Sequence, residues 1–579
     1  MTDFDALCTA LGSAGIRHTF GVPGTQSLGM FDALRASDLG FTLAAHELGA
    51  AFMANGYYRA SGRPAAVLTI GGPGFTNALT GIAEARLDSV PLLHLVSAPA
   101  SAPGERFQLQ AIDQTEIAGP LVKGCFRVSA GTDVASLIRE AVRCAVGGEP
   151  GPVLIEYDTV ESGAPAAEAG ESRHPGAAGG PDMTPDRTSR EPDPSQLQEL
   201  AARWTGARRP ILLLGQGCVS ESARIRRIVE DVRVPVLTTP SARGLVPEDH
   251  PLVLGFDVLR GGLDVVNRLL EASDLVIAAG CKLGHNGSAG FRLELPPERL
   301  VRVDPSREVL EANFPAAIKL QADAAELFAL LDEQSRKRSG DSEWTDQELA
   351  DARAELRRPP SSAADPAVEG PGIRLASEFF HWLRQALPPE TILVTDSGLH
   401  QILARRHFDI LSERGLLLPS DFQSMGFGIP AGIGARIAAP DRPVVVLVGD
   451  GGLLMSGLEI TTAVRDRLPL LFVVFNDGYL NQIRLQQLGD SGRPFGVEIA
   501  ALDHEQFASA VGAEHLAFET MQGPGELGRL LDRDGPAILE LRVGDSRAIR
   551  SKAAGARLKA AARSVRDASR ARRRGKRPR

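Results

Sequence analysis

Along most of the chain, short apolar runs alternate with longer stretches in which apolar positions recur every three or four residues. The runs 65–70, 91–96, 210–214, 274–279, 391–394, 444–448 and 470–475 lack the strict polar alternation of a half-exposed strand. Each therefore predicts a strand buried on both faces. Helical patterns between such runs predict parallel strands joined by crossovers, so the fold class is α/β with doubly wound parallel sheets. Two stretches break the pattern. Residues 161–195 are rich in Ala, Gly, Pro, Glu and Ser, and residues 335–371 begin charged and end in Pro359-Pro360-Ser361-Ser362 before the pattern resumes. Both read as linkers, with some helix in the second. They divide the chain into domains at 1–160, 196–334 and 372–545, followed by a basic tail at 546–579.

Composition changes this picture little. A chain of 579 residues, 43% hydrophobic and 23% charged, is ordinary globular protein with room for three cores. No apolar run is long enough to span a bilayer. Met1 to Thr9 carries Asp3 and Asp5 and no basic cluster, unlike a signal peptide. Cys8, Cys125, Cys144, Cys218 and Cys281 are far apart and never C-x-x-C. They read as reduced thiols of a cytoplasmic protein. The net charge of −9 is uneven: residues 551–579 hold 12 Lys or Arg and one Asp, which leaves about −20 for the rest. Such a body repels nucleic acid. The tail reads as a solvated extension, with binding of an anionic partner as the alternative.

The chemistry collects where strands end, which is where open α/β sheets bind ligands. One run delivers Gly449-Asp450-Gly451-Gly452 and then a helical pattern at 453–465. Residues without Cβ let a diphosphate approach the backbone, the helix turns its N-terminus toward it, and the carboxylate supplies a hard oxygen for Mg²⁺. Taken alone, Gly-Asp-Gly is also a common tight turn. The next run ends in Asn476-Asp477-Gly478-Tyr479. One strand–helix–strand unit would bring Asp477 beside Asp450, a costly approach of like charges unless a cation joins them. Among other polar residues, His94 lies inside an apolar run and reads as a core histidine, and Gly215-Gln216-Gly217 is a weak nucleotide signal.

Together these segments resemble the cofactor-diphosphate motif of thiamine-diphosphate enzymes, G-D-G followed by N-N or N-D. Further segments resemble that family in the same order: Gly21-Val22-Pro23-Gly24, His46-Glu47-Leu48-Gly49-Ala50-Ala51 with Asn55-Gly56-Tyr57, Gly72-Pro73-Gly74-Phe75-Thr76-Asn77, Asp88-Ser89-Val90-Pro91, Leu109-Gln110-Ala111-Ile112-Asp113, and Ser424-Met425-Gly426-Phe427-Gly428-Ile429-Pro430-Ala431. Overall the chain is most similar to the acetolactate synthase and 2-oxo acid decarboxylase group. The resemblance implies a pyrimidine-binding, a central and a diphosphate-binding domain. It implies that Glu47 both binds and activates the cofactor: a carboxyl group bonded to the aminopyrimidine favours the imino form, which takes the thiazolium proton. Read by itself, Glu47 is a first-turn glutamate favoured by the helix dipole. The resemblance further implies that Gly449, Asp450, Gly451, Gly452 and Asp477 hold the diphosphate. Asp450, Asp477 and the backbone carbonyl of Tyr479 would hold Mg²⁺. Gly398, His400 and Gln401, in a strand end similar to D-x-G-x-H-Q, would meet the same diphosphate, with a helix-cap histidine as the other reading of His400. Gln423 would offer its carbonyl to the cofactor's amino group, and Met425 would be the apolar wedge that bends the cofactor. FAD can occupy the central domain of acetolactate synthases, but Gly280-Cys281-Lys282-Leu283-Gly284-His285-Asn286-Gly287 departs from G-x-R-F-D-D-R, which tells against FAD.

The substrate is then a small 2-oxo acid, with Thr25, Gln26 and Gln110 as the polar groups facing it. The chain has no His-His pair, and Ile70-Gly71-Gly72 stands where simple decarboxylases carry a histidine. This leans toward carboligation, as in acetolactate synthase. Release of an aldehyde, an acyl-CoA reaction and an inactive regulatory homologue are the alternatives; retention of Glu47, Asp450 and Asp477 argues against the last. Family resemblance also implies a homo-oligomer, dimer or tetramer, with sites shared between subunits.

Overall fold

The computed structural model describes residues 3–98, 108–129, 131–158, 192–255, 262–357, 371–518, 521, 524–531 and 533–543. Most of the first linker and the whole stretch 551–579 lie outside these residues.

Three six-stranded, wholly parallel sheets organise the chain. The first comprises β1 (His18–Gly21), β2 (Gly40–Leu43), β3 (Ala65–Thr69), β4 (Leu92–Ala98), β5 (Cys125–Val128) and β6 (Val153–Asp158) in the order β2-β1-β3-β4-β6-β5. The central sheet comprises β7 (Pro210–Leu214), β8 (Val236–Thr238), β9 (Val253–Gly255), β10 (Leu275–Ala279), β11 (Leu300–Asp304) and β12 (Ile318–Gln321), ordered β12-β11-β10-β7-β8-β9. The third comprises β13 (Ile392–Thr395), β14 (Leu416–Leu417), β15 (Val444–Gly449), β16 (Leu471–Asn476), β17 (Glu514–Ala517) and β18 (Ala537–Arg542), ordered β14-β13-β15-β16-β18-β17. The first and third sheets thus have one topology. The doubly wound α/β class expected from the apolar runs is what the chain adopts. The inner strands are buried along almost their whole length, because helices cover both faces.

The first and third sheets share a core. Helix Glu47–Ser61 packs across helix Gly428–Ala438, and one apolar cluster runs from Phe20, Phe52 and Phe75 to Phe427, Ile433 and Val446. Two glycines permit this approach. A Cβ on Gly56 would overlap the carbonyl of Ala431, and one on Gly434 would overlap the carbonyl of Met53. The central sheet keeps a separate core, from Leu200 and Trp204 to Leu349 and Ala352. That core reaches into the stretch read as the second linker: helix Asp346–Arg357 docks there, with Trp344 buried and its Nε1 donating to Pro210 O at 2.9 Å. Its charged outer face hid this role.

All five cysteines are free, and His94 is a core histidine, bonded to Thr69 at 2.9 Å and stacked on Phe75. Among the described residues no helix is long and apolar enough to cross a membrane.

Candidate active site

In the third sheet the strand order reverses between β13 and β15, which opens a crevice at their carboxyl ends. Asp450 stands at the end of β15. Neighbouring β16 runs parallel, with Gly449 opposite Phe475, so its own end arrives at the same height. The Asp450 carboxylate accepts N–H groups from Gly451 at 2.9 Å, Asp477 at 3.1 Å and Gly478 at 2.6 Å. Asp477 in turn accepts the Tyr479 N–H at 3.0 Å. Burial raises both carboxyl groups; Asp477 is pushed up to about 7, first by burial and then by the Asp450 charge. A divalent cation between them would reverse both effects. No group of three or more His, Cys, Asp or Glu side chains is arranged to hold a metal ion among the described residues. Two carboxylates and the Tyr479 carbonyl nevertheless suit a hard cation whose remaining ligands are phosphate and water oxygens.

The helix after Gly449 differs from the expected 453–465. It begins at Asp450, ends at Ser456, passes through a 3₁₀ turn Gly457–Glu459 and resumes as Ile460–Arg465. Glycine at 451, 452 and 457 loosens the helical pattern that the apolar spacing suggested. At Gly451 a Cβ would press on Leu480 at 2.7 Å, with the Met425 side chain in ordinary contact at 3.5 Å, so Met425 borders this turn.

Across the crevice, Gly398 opens helix Leu399–His407 with φ 149°, and its missing Cβ makes room for the His400 imidazole. His400 is buried, its Nδ1 lies 3.3 Å from where a Gly449 Cβ would be, and its Nε2 has no hydrogen-bond partner. Burial lowers its pKa to about 4. Nε2 of His400, orphaned at the junction of β13 and β15, could meet a diphosphate oxygen when it carries the ring proton, so the residues present fit this cofactor. Gln401 sends its amide to Pro419 O at 3.4 Å. Gln423, with φ 63°, donates to the carbonyls of Pro419 at 2.6 Å and Ser420 at 2.7 Å, and its Oε1 accepts the Ser397 hydroxyl at 3.3 Å.

One residue of this crevice escaped the sequence reading. Asp396 ends β13 fully buried, accepts the N–H of Ser397 at 2.7 Å and of Gly426 at 2.9 Å, and lies where a Gly452 Cβ would be. It ties the Met425 loop to the Asp450 helix. The signal was present, since Asp396 heads the motif that contains His400.

Glu47 sits on the first sheet's side, in the opening turn of its helix. His46 caps that helix by accepting the Leu48 N–H on Nδ1 at 3.1 Å. The Glu47 carboxylate accepts Asn77 Nδ2 at 3.0 Å and lies beside Gly74. Gln26 donates to Gln110 at 2.8 Å and accepts Ser97 Oγ at 3.0 Å. Ser97 also accepts the Gly71 N–H at 2.8 Å, and buried Gln114 accepts that of Gly72 at 3.0 Å. Ser97 and Gln114, not singled out from the sequence, complete this polar group with Gln26 and Gln110; exposed Thr25 stands beside it. No hydrogen bond or ion pair joins Glu47 to Asp450 or Asp477 among the described residues.

The central sheet reverses between β7 and β10, where Gly217 N donates to Gly280 O at 3.0 Å. A cavity of about 280 Å³ opens there against both other domains. Asp88, Glu149, Asp304, Asp323 and Asp421 line it against Lys282 and Arg405, and Lys282 is already tied to Glu149 at 2.7 Å and to Leu87 O at 2.6 Å. Such a lining suits the diphosphate of a flavin dinucleotide poorly.

Three parallel sheets, with a buried acid pair at the strand ends of the third, match the three-domain plan of thiamine pyrophosphate enzymes. Residues 1–117 match the N-terminal TPP-binding domain of thiamine pyrophosphate enzymes, residues 197–331 their central domain and residues 396–541 their C-terminal TPP-binding domain. The chain belongs to this family, in the group that holds carboligases and decarboxylases. It is 30% identical over 538 residues to the acetolactate synthase isozyme 1 large subunit of Escherichia coli, covering 91% of this chain and 92% of that one. It is 31% identical over 554 residues to a probable 2-ketoarginine decarboxylase, AruI, of Pseudomonas aeruginosa, covering 94% of each. The acetolactate synthase large subunit of Corynebacterium glutamicum is 29% identical over 495 residues, 84% of this chain and 76% of that one.

Proposed function

We propose that the chain decarboxylates a small 2-oxo acid with thiamine diphosphate and Mg²⁺, and joins the remaining fragment to a second carbonyl compound, as an acetolactate synthase does. When bound, thiamine diphosphate supplies the electron sink that lets the bond beside the 2-oxo group break. The chain's part is to hold and to shield. Asp450, Asp477 and the Tyr479 carbonyl would hold Mg²⁺, His400 would donate to the diphosphate, and Met425 would pack against the cofactor. Glu47 keeps a proton at the aminopyrimidine ring. Thr25, Gln26 and Gln110 receive the substrate.

The observation that carries the carboligase reading is the lining of the Gly71–Gly72 turn. The side chains meeting it are Gln26, Ser97, Gln110 and Gln114, all of them amides or a hydroxyl. None is an acid able to protonate the product fragment at neutral pH, so the fragment persists until a carbonyl acceptor arrives.

The working unit in this reading is at least a homodimer. Glu47 lies on the first sheet and the Asp450–Asp477 pair on the third, and exposed apolar residues stand near both polar groups of these sheets: Leu109 beside Gln110, and Leu454, Met455 and Leu458 just beyond Asp450. A second copy would cover these and bring Glu47 of one subunit to the diphosphate of the other.

The test is a panel of 2-oxo acids, each offered with and without a second 2-oxo acid or aldehyde, with CO₂ release and product structure followed by NMR. The expected result is CO₂ release coupled to a 2-hydroxy-ketone or acetolactate-type product. Free aldehyde in equal amount to CO₂, whatever the acceptor, would replace this reading with that of a simple decarboxylase. Turnover only with acyl-CoA substrates would replace it with a CoA-linked one.

A further inference from the structure

Glu459 lies nine positions beyond Asp450, in the 3₁₀ turn that interrupts the helix, and is only 3% exposed. Among the described residues no salt bridge reaches it. Its carboxylate crosses instead to the first domain. Oε1 accepts the Ala45 N–H at 2.8 Å, across 414 residues of sequence, and the His46 N–H also faces the carboxylate. Thr462, one turn further on, donates its hydroxyl to the same Oε1 at 2.8 Å. The other oxygen presses on Gly49, where any Cβ would overlap it. Ala45 and His46 are the two residues that lead into the helix opened by Glu47, and Gly49 is in its first turn.

We propose that Glu459 is a positioning residue for Glu47: a carboxylate from the third domain that seats the N-terminus of the first domain's catalytic helix. The proposal rests on the reading of Glu47 as the residue that activates the cofactor. The physical reason is local. A helix entry is held by its N′ and N-cap residues, and here, among the described residues, their N–H groups find no acceptor besides this carboxylate. His46 spends its side chain on Leu48, so it caps the helix without fixing where the helix starts. Glu459 fixes that point, and Gly49 exists to let it in. An error well under 1 Å at Cα of Glu47 becomes misalignment of its carboxyl group, which proximity catalysis punishes steeply.

The experiment compares Glu459→Gln, Glu459→Ala, Glu47→Gln and the double variant Glu47→Gln/Glu459→Gln with wild type. Measured are folding by circular dichroism, thiamine diphosphate affinity with Mg²⁺ present, kcat and KM separately, and the rate of hydrogen–deuterium exchange at C2 of the bound cofactor by NMR. Amide exchange over residues 43–50 of the cofactor-free protein reports on the helix entry without any turnover. Glu459→Gln keeps size and one acceptor, so it is the variant that should fold whatever becomes of the alanine. For Glu459→Gln the expected result is cofactor affinity and KM within about 3-fold of wild type, kcat and C2 exchange both slower by about 10-fold, and faster amide exchange over 43–50. Glu459→Ala should lose about 100-fold in kcat where it folds. Adding Glu459→Gln to Glu47→Gln should slow C2 exchange no further, because the one acts through the other. Wild-type C2 exchange in Glu459→Gln, or losses that multiply in the double variant, would overturn the proposal. If Glu47→Gln itself exchanges at the wild-type rate, the reading of Glu47 fails, and that failure is seen in a variant where Glu459 is intact.

Discussion

Asp450 shows how much one side chain is asked to do. Its carboxylate already takes three backbone N–H groups, which fixes the loop after β16 beside it. The metal reading adds a cation on the same carboxylate. Asp450→Ala would remove both, and Asp477→Ala one ligand, so each should weaken Mg²⁺-dependent cofactor binding by about 10–100-fold or more, measured by fluorescence titration. EDTA treatment of wild type should release bound cofactor, whereas Tyr479→Phe should bind metal normally because only its backbone is used. Unchanged affinity in both aspartate variants would remove them from the metal site. Glu47→Gln should bind cofactor and still lose about 100-fold or more in kcat. Asp450 and Asp477 were legible in the sequence because each is an acid followed by glycine at the end of an apolar run, and Glu47 because its segment resembles the family's motif. Asp396 stood in a legible motif without a role of its own, and Ser97 and Gln114 were not legible, since their roles lie in contacts with remote segments. Glu459 is the extreme case: its partner is 414 positions away.

At the level of elements, the apolar runs located the strands within a residue or two: 210–214 became Pro210–Leu214, and 444–448 became Val444–Gly449. Burial on both faces makes such runs unmistakable. The pairing of helix Glu47–Ser61 with helix Gly428–Ala438 could not be read the same way. Their glycines look like helix-weakening accidents until each is found against a carbonyl of the other helix. Gly434→Ala must therefore push the helices apart, and a loss of about 1–3 kcal/mol in urea unfolding is expected. Gly206→Ala is the control. It ends helix Pro194–Gly206 with nothing within 4 Å of its would-be Cβ, so stability should hold or rise slightly. Equal losses in the two variants would show that glycine content, not the helix crossing, sets the cost.

For the whole molecule, the shared-site dimer makes the sharpest prediction. Glu47→Gln and Asp450→Ala subunits, each inactive alone, should regain about a quarter of wild-type activity when mixed equally, since half the dimers are hybrids with one intact site each. No rescue after proven subunit exchange, or an active monomer, would rule the shared site out. The crossing of the two glycine-bearing helices bears on a different matter, the pieces from which the chain can be rebuilt. Neither flank owns the wall between the first and third sheets: Phe52 and Phe427 are two sides of one cluster, while the central cluster draws on residues 197–356 alone. A fragment ending before the central domain would turn Gly56 and its apolar surroundings to water, whereas the central sheet cut free would keep its core entire. As building blocks the three domains are two: a cassette, and the discontinuous body into which it is spliced.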